Sequence, residues 1–159
     1  MKEIEELYLN YAKSVYKYLL CLSKNKDIAE DLTQETFYQA SKSINNFKGE
    51  CKVSVWLCQI AKYSWYKHLD KCKKNHCDSY DEVAFEVSCN KNLESDFIKS
   101  EDKMELFKKI HLLDPQSKEI IYLRLSGELS FKEIGDIFNK SENWARVSFY
   151  RAKKKLLEV

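Results

Sequence analysis

"SFKEIGDIFNKSENWARVSFYRAKKKL", residues 130–156, reads as two helices joined by a tight corner. Ser130 and Glu133 have the spacing of a capping box, in which a hydroxyl and a carboxylate each take a backbone N–H at a helix start. Ile134, Ile137 and Phe138 give the first helix an apolar face. Gly135 lies on the same helix, and a residue without a side chain admits close approach of another helix. Asn139 follows where the chain must turn, and Asn tolerates the left-handed conformation better than most non-glycine residues. Ser141 then caps the second helix. There Ala145, Phe149, Ala152 and Leu156 recur at steps of four, three and four, the period of a buried stripe. Ser141, Asn143, Arg146, Val147, Tyr150, Arg151 and Lys154 are left facing outward. This is the pattern of a helix-turn-helix whose second helix enters a major groove. Asn and Arg read base edges by paired hydrogen bonds, and Lys and Tyr hold phosphates. A solvated hairpin explains the charge but not its coincidence with the small residue, the corner and the cap.

Upstream, Asp114-Pro115 is a helix start, a cap followed by a proline whose missing N–H costs nothing there. The helix it opens stops at Gly127, a residue suited to the left-handed conformation. Residues 75–102 carry eight acids against two lysines, with frequent Ser and Asn and weak periodicity. They read as an acidic flexible linker, with Glu101 and Asp102 at the edge of the next helix. Its 28 residues reach about 30 Å as a random coil.

Before the linker, Ile4, Leu7, Tyr11, Val15, Tyr18, Leu19 and Leu22 trace one face of an amphipathic helix. A second helix spans 27–44, capped by Asp27 and lined inside by Ile28, Leu32, Phe37, Ala40 and Ile44. Residues 45–54, with two Asn, a Gly and Phe47, form a loop. Helical spacing resumes through Val55, Leu57, Ile60, Ala61 and Leu69 and ends near Lys74. The expected architecture is therefore all-α: a domain over 1–74, a linker over 75–102 and a helix-turn-helix domain over 103–159.

Composition agrees. Three Gly and one Pro in 159 residues leave little turn chemistry for a strand-rich fold. The formal net charge is only +2, but it is segregated. Residues 27–35 hold Asp27, Glu30, Asp31 and Glu35 without a base, and 146–155 hold five bases without an acid. Separate surfaces for separate partners follow. The start, "MKEIEELYLNY", is charged, and no window offers the ~20 apolar residues of a membrane span. A cytoplasmic chain with no membrane insertion is expected, its six cysteines remaining thiols. His68, Cys72 and His76, with Cys77 beside them, are ligand-type residues, but i and i+8 lie too far apart on one helix to share an ion. Neither a metal nor a cofactor is expected. His68, Asp70 and Cys72 lack the oxyanion site that a nucleophilic centre needs, so the chain does not read as an enzyme.

Three segments resemble the bacterial extracytoplasmic-function sigma factors of the sigma-70 family. "LDPQSKEIIYLRLSGELSFKEIGDIFNKSENWARVSFYRAKKKL" is similar to the family's −35-binding domain. "DIAEDLTQETFYQASKSINNF" is similar to its surface for core RNA polymerase. "VSVWLCQIAKYSWYKHL" is similar to its −10 recognition and melting helix. The family order is kept, with a linker between.

The resemblance implies an alternative sigma factor that directs promoter recognition and transcription initiation. It implies core polymerase binding through Asp31, Gln34 and Glu35, and −35 duplex reading through the outward face of the last helix. It implies capture of single-stranded −10 bases by Asn45, Asn46 and Phe47. Lys62, Tyr63, Tyr66 and Lys67 then follow the strand, and Trp56 serves as core or as a wall. An anti-sigma factor as inhibitory partner is implied too. The chain departs from the family at Trp144-Ala145, where Thr and Val are common, and at Val147-Ser148, where Ser-Arg is common. Tyr63 stands where Asn is common. A helix-turn-helix regulator that never touches polymerase is the competing reading. It needs neither the acidic helix nor the aromatic loop.

Overall fold

The computed structural model of the chain describes residues 2–75, 100–125 and 128–158. Every regular element among them is helical. The first apolar stripe folds as α1 (Lys2–Ser23), with Val15, Tyr18 and Leu19 buried. α2 (Lys26–Ser43) starts one residue earlier than its expected cap. Asn25, not Asp27, closes its first turn, its Oδ1 accepting the Ile28 N–H at 3.1 Å. Asp27 already lies inside that turn, where its charge favours the dipole but its side chain cannot fold back as a cap. Leu32, Phe37 and Ala40 are buried as the spacing predicts, and Ile28 and Ile44 are half-buried. Thr33 and Thr36 are buried beside them. Their hydroxyls donate to the carbonyls of Ala29 and Leu32, at 2.6 and 2.7 Å, so neither is left unsatisfied.

A single 3₁₀ turn (Ile44–Asn46) and a loop lead to α3 (Val53–Lys74), which buries Val55, Leu57 and Ala61. α4 (Ser100–His111) takes in Glu101 and Asp102. Most of the expected linker, with His76, Cys77 and the stop at Gly127, lies outside the described residues. α5 (Pro115–Leu125) begins at the expected signal, Asp114 Oδ2 accepting the Ser117 N–H at 3.2 Å. α6 (Phe131–Phe138) and α7 (Glu142–Glu158) form the carboxyl-terminal corner.

α1, α2 and α3 pack on one another, as do α5, α6 and α7. The two bundles also meet, α1 against α5 and α3 against α6. One apolar cluster runs from Val15, Leu19 and Leu57 through Ile120 and Leu123 to Ile134 and Ala145. Each large aliphatic side chain fully buried there contributes roughly 1.5–3 kcal/mol.

Candidate nucleic-acid interface

The corner between α6 and α7 is fixed by five residues. The capping box is complete: Ser130 N–H to Glu133 Oε2 at 2.8 Å, and Glu133 N–H to Ser130 Oγ at 3.2 Å. Asn139 is left-handed, with φ 56° and ψ 43°. Gly135 accepts the Lys140 N–H at 2.8 Å. A Cβ on Gly135 would stand 2.8 Å from the Lys140 carbonyl oxygen and 2.9 Å from that of Ser141. The missing side chain therefore makes room for the corner's own backbone. Ser141 Oγ accepts the Trp144 N–H at 3.1 Å and starts α7.

Ala145 and Ala152 are buried, with Phe149 and Leu156 half-buried beside them. Ser141, Asn143, Arg146, Val147, Tyr150, Arg151 and Lys154 are all exposed. Arg146 pairs with Glu142 at 2.9 Å, one turn back. Its guanidinium lies 5.5 Å from the Phe131 ring centroid, and that ring stands 6.3 Å from Tyr150. An exposed i,i+4 pair is worth about 0.3–0.5 kcal/mol, so Arg146 is held in place without being committed. Trp144 turns inward against Phe138, centroids 5.2 Å apart.

On the other bundle, Phe47 stacks on Trp56 with centroids 4.7 Å apart and planes at 29°. The pair walls an open recess with Ser43, Asn46, Lys48 and Gln59. Asn45 and Asn46 are exposed, so amide groups stand next to an aromatic platform. Tyr63, Tyr66 and Lys67 are exposed along α3.

Lys62 is placed differently from these neighbours. Its side chain is 12% exposed and its Nζ lies 3.2 Å from Glu119 Oε1. The Phe138 ring centroid is also 3.2 Å away. Burial lowers the Lys62 pKa, against the upward pull of Glu119. Tyr18 donates its hydroxyl to the same Glu119 oxygen. Burial, and then the Glu119 charge, push the Tyr18 phenol well above its usual range. Two further links join the bundles: Gln59 Nε2 to the Asp136 carbonyl at 3.1 Å, and Lys52 to Glu133 at 2.9 Å. Burial pushes Glu133 upward. Lys52 and the Ser130 cap outweigh it and leave the carboxyl below its usual value. Glu119 was not legible as a contact residue. Its only sequence signal is a carboxylate beside the apolar pair Ile120-Ile121.

On α2, Asp31 and Gln34 are exposed and Glu35 is half-buried, accepting the Gln39 amide at 2.7 Å. They share a helix face with exposed Tyr38, whose ring carries Lys42 Nζ at 4.1 Å. His68 and Cys72 approach to 3.5 Å, but no three ligand-type side chains gather among the described residues.

Residues 7–75 match the family described as Sigma-70 region 2, and residues 103–156 match Sigma-70, region 4. The chain is 33% identical to the ECF RNA polymerase sigma factor SigM of Bacillus subtilis, over 96% of this chain and 92% of that one. The chain belongs to the ECF RNA polymerase sigma factors. Another Bacillus subtilis relative, the RNA polymerase sigma factor YlaC, is 29% identical over 96% of this chain and 89% of its own. Among solved structures, the sigma factor RpoE in complex with the anti-sigma factor NepR, from Bartonella quintana, shares the fold. Its TM-score is 0.79 at 21% identity, covering 99% of this chain and 96% of that one. CnrH, solved with the cytosolic domain of CnrY, has a TM-score of 0.69 at 16% identity, with coverages of 99% and 86%.

As a sigma factor, the chain binds core RNA polymerase and promoter DNA and serves transcription initiation. The region 2 match sets aside a helix-turn-helix regulator without a polymerase surface. Among the described residues no helix is long and apolar enough to cross a membrane.

Proposed function

We propose that this sigma factor divides its work among three surfaces. α7 reads the −35 duplex: Asn143, Arg146 and Val147 reach base edges, and Ser141, Tyr150, Arg151 and Lys154 hold phosphates. The Phe47–Trp56 platform with Asn45 and Asn46 takes unstacked −10 bases, each stack worth ~1–3 kcal/mol. Lys62, Tyr63, Tyr66 and Lys67 follow that strand. Asp31, Gln34 and Glu35 meet a basic surface of core polymerase. The −10 and polymerase work falls within residues 1–74 and the −35 work within 103–159. Nothing here is catalytic: strand opening is stabilised by binding the opened strand. Of the two solved structures, RpoE is in complex with the anti-sigma factor NepR and CnrH with the cytosolic domain of CnrY. An anti-sigma factor acting on this chain from the cytoplasm is the corresponding expectation.

The observation that carries this reading is the exposed row on α7, basic, amide-bearing and set on a rigid corner. Run-off transcription with reconstituted polymerase tests it. Arg146→Glu is expected to weaken −35-dependent initiation by about tenfold or more, a base contact being worth ~1–3 kcal/mol, while leaving capture of core polymerase intact. Asp31→Lys with Glu35→Lys is expected to do the reverse. The same defect from both sets would end the division of labour.

A further inference from the structure

Glu119 sits 4% exposed within an apolar stretch of α5. A lone carboxylate there is costly, and Tyr18 and Lys62 from the other bundle compensate it. Lys62 is the lysine assigned above to a DNA phosphate, and this inference rests on that assignment. Held in the seam with its side chain 12% exposed, the Lys62 ammonium is not open to a DNA strand. We propose that Glu119 is an intramolecular stand-in for a DNA phosphate, latching the two bundles closed through Lys62 until nucleic acid takes that lysine.

The chemistry suits a latch. A buried ion pair gains little over an apolar contact of the same shape, because both charges recover hydration when separated. Opening the interface therefore loses less than opening a wholly apolar one. The rim links from Lys52 and Gln59 are also polar, and Lys52 is largely exposed, so they add little. Apolar contacts of α1 with α5 and of α3 with α6 add to closure, and Glu119 is the charge that decides whether Lys62 stays in the seam. While it is closed, α3 lies against α6, and the strand path along α3 lacks its innermost cation.

The test uses the full chain, with a donor and an acceptor dye on unnatural amino acids at exposed Lys17 and Lys153. Glu119→Gln keeps the shape and the Tyr18 bond but leaves the Lys62 ammonium without a counter-charge. Energy transfer is expected to fall. Affinity of the free chain for mixed-sequence single-stranded DNA is expected to rise about tenfold, the factor by which a roughly one-in-ten open population weakens apparent binding. In the wild type the same DNA is expected to lower energy transfer. Unchanged transfer in E119Q overturns the latch. Lower transfer with no gain in DNA affinity overturns the competition. Adding Lys62→Gln to E119Q checks the assignment underneath: no loss of DNA affinity would refute Lys62 as a phosphate contact, while transfer in E119Q still reports on the latch. Should E119Q fail to fold by circular dichroism, Tyr18→Phe removes one of the two bonds that reach Glu119 from the other bundle and is read in the same two assays.

Discussion

Gly135 is the residue on which the corner turns. An alanine there puts a methyl group 2.8 and 2.9 Å from two carbonyl oxygens of the turn. Those atoms are backbone and held by the Lys140 to Gly135 hydrogen bond, so neither can step aside cheaply. Gly135→Ala is expected to destabilise the carboxyl-terminal bundle by about 1–3 kcal/mol, the usual cost of overpacking. Urea unfolding followed by circular dichroism measures it; a midpoint equal to wild type would show that the corner has slack. Residues of this kind were legible because their partners lie within six positions in the chain. Ser130, Asn139 and Ser141 all do what their spacing predicts. Asn25 escaped notice because Asp27 two residues later offers an equally good cap by type alone. Glu119 escaped for a different reason: its partners are 101 and 57 residues away, and no local period encodes them.

At the level of helices, the start of α5 is clasped to the end of α7. Asp114 caps α5 with one oxygen and accepts from Lys155 at 2.9 Å with the other. The Lys155 bond, aided by the Ser117 cap against some burial, brings the Asp114 pKa from 3.8 down to about 2. A carboxylate whose folded pKa is depressed adds stability above its unfolded value and loses it as pH falls through the folded one. The clasp is therefore complete above about pH 5, is lost progressively as pH falls, and is gone near pH 1. Both side chains are about half exposed, so solvent screening limits it to roughly 0.5–1 kcal/mol. Asp114→Asn keeps the cap and removes the charge. It is expected to lower stability by that amount at pH 7 and by only a small part of it at pH 2, as thermal melts at the two values would show. An equal loss at both would mean the cap, not the ion pair, had been damaged. The helices themselves were readable from period and caps. Their partners were not, since the α7 stripe says which face is covered without saying that α5 covers it.

For the molecule as a whole, closure of one bundle on the other places two native thiols under the seam. Cys21 on α1 and Cys58 on α3 are both raised to about 12, by burial first. For Cys58 the Glu119 charge adds to this, and for Cys21 Glu119 acts against a lowering by Lys118. The nucleophile is the thiolate, so near pH 8 these two sulfurs are almost wholly in the unreactive form. Burial therefore keeps this pair of thiols poorly reactive while the chain stays closed. Peptide-resolved alkylation at pH 8 is expected to label Cys72, at the far end of α3, well before Cys21 or Cys58. In Glu119→Gln the seam separates and the nearby carboxylate charge is gone, so Cys58 is expected to gain reactivity while Cys72 keeps its rate. Equal acceleration at all cysteines would indicate general loosening of the fold instead of opening along one seam. Cys58 reacting as fast as Cys72 in the wild type would mean that the bundles do not rest against each other in solution.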